Sequence, residues 1–182
     1  MTQSRGASRD FQIFPAGPSD AEDLAGVHVK AWRESYRGLL PDAFLNQMSE
    51  IAHARRFSRA LLRLETNDII LAAGDRRGLV GYAAGGPSRK KVIGEAEIST
   101  LYVLKSAQGC GLGEGLLLDT ARALAAQGLK TLVISVLRDN LRARGFYEHL
   151  GGIADAPRDE PGPGGVVSEV AYRWADIGAL TR

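Results

Sequence analysis

The chain has 182 residues, of which 45% are hydrophobic and 24% charged, and its formal net charge is +2. These values favour one globular domain with a sizeable core. They do not indicate a nucleic-acid-binding or membrane protein, because the basic residues are scattered and no apolar run approaches the about 20 residues that span a bilayer. Cys110 is the only cysteine and cannot form an internal disulfide, so we expect a cytoplasmic protein.

The first third of the sequence is predicted to be mainly helical. Residues 1–9 are polar and are predicted to form a flexible lead-in to a single domain over residues 10–182. "FQIFPA" predicts a first strand from Phe11, and Ser19 or Asp20 is suited to cap a helix that ends near Arg37. Two further helices are predicted in "PDAFLNQM" and "SEIAHARRFSRALLRL", which has apolar residues at roughly helical spacing.

Strands alternate with helices after Asn67. "DIILAAG" and "GLVGYAAGG" predict a hairpin, "GEAEISTLYVL" a third strand, and "SRKK" a solvated hairpin tip. A helix is predicted from about Gly113 to Gln127, followed by a strand, "LKTLVISVL", buried on both faces. A short helix capped by Asp139 or Asn140 precedes a predicted loop, "APRDEPGPGG", and a last strand, "VVSEVAYRW". This order predicts an α+β (α/β) chain around one sheet.

The segment "QGCGLGEGLL", from Gln108 to Leu117, follows a predicted strand and leads into a predicted helix, and three of its glycines lie within the six residues 108–113. Unpaired N–H groups at a helix start form an anion site suited to phosphate. The alternative is a tight connection without a ligand. A nucleotide P-loop needs Gly-Lys-Ser/Thr, but Glu114 and Gly115 follow Gly113. The dinucleotide-binding fingerprint G-x-G-x-x-G is nearly matched by Gly109, Gly111 and Gly115, but the last spacing is one residue too long.

Four ordered segments resemble the GCN5-related N-acetyltransferase (GNAT) superfamily. Gln108-x-x-Gly111-x-Gly113 fits the family signature Q/R-x-x-G-x-G/A, and "TLYVL" precedes it at the family's spacing. "DNLRARGFYEHLGG" resembles the second motif. "HVKAWRESYRGLLPDAFL" is similar to the first helix pair of many bacterial members, and "EVAYRW" to their closing strand.

The resemblance implies a single mixed, V-splayed β-sheet flanked by helices, with acetyl-CoA bound in the splay and no metal. The pantetheine arm would pair with the strand backbone at Leu101, Tyr102 and Val103. Main-chain amides would hold the pyrophosphate, and Asn140 would contact the cofactor arm. The residues of that amide loop are Gln108, Gly109, Cys110, Gly111, Leu112 and Gly113.

The resemblance also implies a general acid, since Tyr147 matches the tyrosine that protonates the departing CoA thiolate. A phenol with an ordinary pKa of about 10 is protonated at neutral pH. The alternative is that Tyr147 only packs its helix against the sheet. Cys110 lies in the cofactor loop, where binding uses its backbone, so a covalent role for its thiol is not expected.

Glu97 is the candidate general base, at the position where some histone-acetylating members carry a glutamate. On a regular strand Glu97 shares a face with Ser99, Leu101 and Val103. Glu95 has the same parity and could substitute, or water could act alone. A solvated or ion-paired Glu97 is the structural alternative.

Trp32 and Tyr36 lie four residues apart and therefore share a helix face. They are either core residues or, by resemblance, the wall of the amine-binding pocket, with Glu34 and Asp42 attracting a cationic acceptor. His28, His53 and His149 show no metal-ligand spacing and are expected to be surface or half-buried residues.

The resemblance implies an N-acetyltransferase that moves an acetyl group from acetyl-CoA directly to a primary amine of a small molecule or protein. The alternatives are a catalytically inactive acyl-CoA-binding sensor and, less favoured, a nucleotide-binding domain. The acceptor, the acyl chain length and the oligomeric state stay open, and a homodimer is compatible with the family.

Overall fold

The computed structural model describes residues 10–63, 67–89 and 95–180. The predicted N-terminal lead-in and the lysines of "SRKK" lie outside these residues. The helices are α1 (Ala21–Tyr36), α2 (Asp42–Gln47), α3 (Glu50–Leu62), α4 (Leu112–Ala126), α5 (Leu141–His149) and α6 (Ile177–Leu180). The strands are β1 (Gln12–Pro15), β2 (Ile69–Asp75), β3 (Gly78–Pro87), β4 (Glu95–Val103), β5 (Thr131–Leu137), β6 (Ile153–Ala154), β7 (Arg158–Gly162) and β8 (Gly165–Trp174).

The strands form one mixed sheet in the order β1-β2-β3-β4-β5-β8-β6, with β7 also pairing with β8. The β4–β5 pair is parallel, and the other recorded pairs are antiparallel. β4 and β5 pair only from Glu95 opposite Thr131 to Glu97 opposite Val133 and then separate, which opens a V in the sheet. The predicted mixed, V-splayed sheet flanked by helices is confirmed.

Helices cover the two faces of the sheet. On one face α4 buries Leu117, Ala121 and Leu124, at helical spacing, against the apolar side chains of β4, β5 and β8. On the other face α1 and α3 pack on β2, β3 and β4 around Leu24 and Tyr82. Complete burial of such a side chain contributes about 1.5–3 kcal/mol. The two helix layers therefore fix β4 between them.

The segment "APRDEPGPGG" is not a loop, and that prediction was wrong. Arg158–Gly162 forms β7, which pairs with β8 from Arg158 opposite Glu169 to Gly162 opposite Gly165. Pro161 is compatible with this strand because β7 branches from the end of the sheet, where one missing N–H interrupts few ladder bonds. The prolines and glycines therefore belong to a hairpin.

Two predicted boundaries also change. β1 begins at Gln12 rather than at Phe11. The carboxylate of Asp20 accepts the backbone N–H of Gly17 at 2.7 Å and makes no side-chain cap for α1. Among the described residues, no helix is long and apolar enough to cross a membrane.

Candidate functional site

A cleft of about 600 Å³ occupies the opening between β4 and β5. We call it the splay cleft. Its walls are residues 98–103 of β4 and 134–136 of β5, and its ends are the glycine turn before α4 and the start of α5. Because β4 has no partner on this side beyond Glu97, its backbone groups are available to an extended ligand.

A β-bulge at Ser99 changes the orientation of the β4 side chains. Ala84 pairs with Thr100 and Gly85 with Ile98, so Ser99 has no opposite residue. Leu101 and Val103 consequently pack toward α4, whereas Tyr102 packs toward α1 and α3. Glu97 shares its face with Thr100 and Tyr102 rather than with Leu101 and Val103. The predicted shared face was wrong, because a bulge inverts the alternation that a regular strand would have.

The glycine turn exposes backbone N–H groups at the splay cleft. Gly109 and Gly111 have φ angles of +79° and +82°, a conformation that strains other residues. Gly111 precedes the first turn of α4, whose N–H groups have no partner within the helix. The side-chain amide of Gln108 donates to the Val103 carbonyl at 2.7 Å, which ties the turn to the end of β4. The Gln108 Oε1 atom is buried and has no hydrogen-bond partner among the residues that the structure describes.

The second end of the splay cleft is formed by α5. The Asn140 carboxamide oxygen caps this helix by accepting the Ala143 N–H at 3.2 Å, and Asn140 also lines the cleft. Tyr147 lines the cleft, and its side chain is 6% exposed against the rings of Tyr172 and Trp174. Burial, with a smaller contribution from Tyr36, raises the pKa of Tyr147. The phenol therefore keeps its proton at neutral pH.

A second cavity, of about 1010 Å³, lies between the sheet and the helices α1 and α3. We call it the helix-side cavity. Ser99 and Thr100 line both this cavity and the splay cleft, so the two meet at the bulge. The wall includes aromatic and charged side chains from α1, α2, α3, β3, β4 and the segments that connect the elements. These side chains are His28, Trp32, Phe44, His53, Arg56, Phe57, Arg63, Asp68, Tyr82, Arg89 and Glu97.

Polar aromatic contacts connect the helix-side cavity to β4. His28 Nδ1 lies 2.5 Å from Tyr82 Oη, and the ring centroids of His28 and Tyr82 lie 5.7 and 6.0 Å from that of Tyr102 on β4. The His28 and His53 rings lie 4.4 Å apart between their centroids. Burial, with smaller contributions from the nearby His53 and Arg56, lowers the pKa of His28 to about 3. Burial and Arg56 also lower the pKa of His53, so both imidazoles are neutral at pH 7.

Glu97 reaches the helix-side cavity, and its Oε2 atom accepts the backbone N–H of Arg89 at 3.0 Å. Glu95, two residues earlier on the strand, is only 4% exposed. Its carboxylate is hydrogen-bonded to the guanidinium of Arg173, which also binds Asp155 at 2.7 Å. Of the two glutamates, Glu97 is the one with access to the cavity.

A family model described as "Acetyltransferase (GNAT) family" matches residues 29–152, which is more than half of the chain. The chain belongs to this family. The matched span contains β4, the glycine turn and Tyr147, so it covers the whole splay cleft. It also contains the strands on both sides of the splay.

The GNAT relatives span most of the chain. The uncharacterized N-acetyltransferase YuaI of Bacillus subtilis is 26% identical over 162 residues, which cover 88% of this chain and 91% of YuaI. The PaiA N-acetyltransferase of Thermoplasma acidophilum, solved with coenzyme A, has a TM-score of 0.65 at 19% identity, covering 88% of this chain and 98% of its own. YncA of Salmonella typhimurium, solved with its cofactor acetyl-CoA, has a TM-score of 0.69 at 17% identity, covering 91% and 94%.

Most of the residues predicted to bind the GNAT cofactor lie together in the splay cleft. Leu101, Tyr102, Val103, Gln108, Gly109, Gly111, Gly113 and Asn140 line it. The Leu112 side chain is buried beneath the turn, and the Cys110 thiol donates to the Ala107 carbonyl at 3.1 Å. Only backbone groups of these last two residues are therefore candidates for contact.

The residues predicted for the acceptor are divided between the two cavities. Trp32 lines the helix-side cavity, but Tyr36 lines the splay cleft, where its hydroxyl lies 3.0 Å from that of Tyr102. Glu34 accepts the backbone N–H of Lys105, and Asp42 lies 4.0 Å from Arg37. The attraction of a cation by Glu34 and Asp42 is thus not supported, since neither lines the helix-side cavity.

Sequence reasoning missed the polar part of the helix-side cavity, formed by Tyr82, Thr100 and the paired imidazoles of His28 and His53. These side chains come from α1, α3, β3 and β4. The one available signal was that His53 and Arg56 lie three residues apart and Phe57 four from His53, which places them on one face of α3. That face could not be assigned to a cavity before the sheet was known.

Proposed function

We propose that the protein is an N-acetyltransferase that moves an acetyl group from acetyl-CoA directly to a primary amine within a ternary complex. The observation that carries this proposal is the meeting of the two cavities at Ser99 and Thr100. One cavity has backbone groups suited to a coenzyme, and the other is large enough for an acceptor. Two reactants held in adjoining cavities gain effective concentration, which supplies much of the rate.

The splay cleft fits coenzyme A. The unpaired edge of β4 suits the extended pantetheine arm, and the N–H groups of the turn from Gln108 to Gly113 suit the pyrophosphate. Asn140 is placed to contact the arm while it caps α5. When bound, acetyl-CoA supplies an acetyl group activated as a thioester. The protein's part is to orient that group toward the bulge.

Tyr147 is the proposed general acid. Its raised pKa keeps the phenol protonated, so Tyr147 Oη holds a proton for the sulfur of the departing coenzyme. The aromatic packing against Tyr172 and Trp174 fixes the direction of the side chain. Proton donation thus comes from the side of the splay cleft.

Glu97 is the proposed general base, acting from the helix-side cavity directly or through a bridging water. Its carboxylate keeps one oxygen on the Arg89 N–H and has a second oxygen for the amine's proton. Acid and base thus approach β4 from different cavities. The Sγ atom of Cys110 is hydrogen-bonded to Ala107, which supports direct transfer rather than an acetyl-cysteine step.

The proposal is tested with isotopically labelled acetyl-CoA and a pool of amines and dialysed lysate protein. We expect labelled product with the wild-type protein and about 100-fold slower turnover with Tyr147→Phe, at unchanged affinity for acetyl-CoA. Tyr172→Phe is the matched control, because its ring packs on Tyr147 and its hydroxyl binds Glu148 at 2.5 Å. Acetyl-CoA binding without any labelled product would instead identify an acyl-CoA sensor.

A further inference from the structure

The helix-side cavity contains more basic than acidic side chains. α3 and the residue after it contribute Arg56 and Arg63, and Arg89 follows β3 on the opposite side of the cavity. The acidic residues of the wall are Asp68 and Glu97. With both imidazoles neutral, the described residues of the wall place three guanidinium groups against two carboxylates, an excess of one positive charge.

These three arginines make no ion pair within 4.0 Å among residues 10–63, 67–89 and 95–180. Elsewhere the guanidinium groups of Arg122, Arg144 and Arg173 each lie within that distance of a carboxylate. The Glu97 carboxylate binds the backbone of Arg89 rather than its side chain. Within those ranges, no carboxylate occupies the guanidinium groups of the cavity.

Of the three arginines, Arg56 is the one whose charge acts on other titratable groups of the helix-side cavity. It lines the helix-side cavity together with His28, His53 and Tyr82, and its positive charge lowers the pKa values of these three groups. Thr100 lines the same cavity at the place where it meets the splay cleft.

We propose that the acceptor carries an anionic group, a carboxylate or a phosphate, in addition to its amine. Arg56 binds that anion, Arg63 and Arg89 add positive charge to the same cavity, and the amine reaches Ser99 and Thr100. Guanidinium groups recognise both carboxylates and phosphates through paired N–H donors. This inference rests on the proposed acetyltransferase function and specifies its substrate class.

A purely cationic molecule such as a polyamine is expected to be a poor acceptor. A polyamine would bring further positive charge next to Arg56, and like charges at short distance repel each other. An amine that carries its own anion would instead neutralise the excess charge. Trp32, Phe44 and Phe57 add apolar surface for the remainder of such a molecule.

The test compares acceptors that differ only in the anion, at saturating acetyl-CoA. L-Phenylalanine is paired with L-phenylalaninamide and phenethylamine, L-leucine with L-leucinamide, and O-phosphoethanolamine with ethanolamine. A carboxylate next to the amine stabilises its ammonium form, so the amine of the amino acid is harder to deprotonate than that of the amide. If deprotonation alone decided the rate, the amide would therefore be the faster acceptor. The phosphate and carboxylate pairs distinguish the two sources of negative charge.

We expect at least one acceptor with an anion to exceed its partner without the anion by about tenfold in kcat/KM. Arg56→Gln should raise the KM for that acceptor by about tenfold and leave the KM for the partner without the anion unchanged. Arg55→Gln is the matched control, because Arg55 is the exposed neighbour on α3 and does not line the cavity. Both side chains are exposed, and thermal melts should show equal stability.

Three results would overturn the inference, and they can be told apart. If the amines without an anion are the better acceptors, or if Arg56→Gln and Arg55→Gln behave alike, the acetyltransferase proposal stands and the anion site is wrong. If the protein binds acetyl-CoA but acetylates no amine of either kind, the proposed function fails and the acceptor class fails with it.

Discussion

The splay cleft and the helix-side cavity meet at β4 but are built in different ways. The splay cleft presents mainly backbone: a strand edge, two glycines with positive φ and the first turn of a helix. The helix-side cavity presents side chains drawn from α1, α3 and three strands. Backbone recognition needs only a short contiguous segment, whereas side-chain recognition depends on residues that the fold collects from distant positions. The donor is therefore more easily inferred than the acceptor.

Among the variants that distinguish the roles of the two cavities, Glu97→Gln is expected to have the largest effect. The amide can still accept the Arg89 N–H but cannot take up a proton, so we expect kcat to fall by about 100-fold with an unchanged KM for acetyl-CoA. Steady-state kinetics with a reactive amine measures both. Glu95→Gln is the control, because it removes a buried partner of Arg173 and should lower the Tm rather than turnover. Equal turnover in wild type and Glu97→Gln would show that Glu97 is not the general base.

A smaller effect tests whether the helix-side cavity keeps its imidazoles neutral. His28 has a pKa of about 3 in the folded chain against an ordinary value of 6.5. Between these values the unfolded chain binds a proton that the folded chain does not, so stability falls as the pH falls below about 6.5. At pH 5 the loss from His28 is about 2 kcal/mol.

Urea unfolding at pH 7 and pH 5 measures this loss. His28→Gln should lose less stability between the two pH values than wild type, and His149→Gln, at an exposed position, should match wild type. A part of the loss should remain in His28→Gln, because the pKa of His53 is also lowered. If His28→Gln and wild type respond equally to pH, the His28 imidazole is not held neutral by its burial.

The smallest of these effects concerns the backbone of the splay cleft. Gly111→Ala places a side chain at a φ of +82°, and the resulting strain of about 1–2 kcal/mol is relieved by moving the N–H groups that face the cleft. We expect the KM for acetyl-CoA to rise by about tenfold while the KM for the amine stays constant. Gly128→Ala, at a φ of +85° after α4, has the same strain away from the cleft. An equal response of both variants would contradict recognition by this turn.

The sequence indicated the parts of the molecule that local chemistry determines. The order of helices and strands, the glycine turn and the cap at Asn140 follow from residues close in the chain. β7 was missed because its prolines and glycines are typical of a loop, and its pairing with β8 is a property of the assembled sheet. The contact of His28 with His53 was missed for the same reason, since it depends on how α1 packs against α3.

The bulge at Ser99 has a practical meaning for redesign of the acceptor preference. Positions 97, 99, 101 and 103, which a regular strand would group together, face different cavities because of one unpaired residue. A combinatorial library aimed at new acceptors should therefore vary Thr100 with Trp32 and Phe57, and keep Leu101 and Val103 constant. Deletion of Ser99 would turn the β4 side chains on one side of the bulge toward the opposite cavity. We therefore expect β4 to tolerate a substitution at this position better than a change of length.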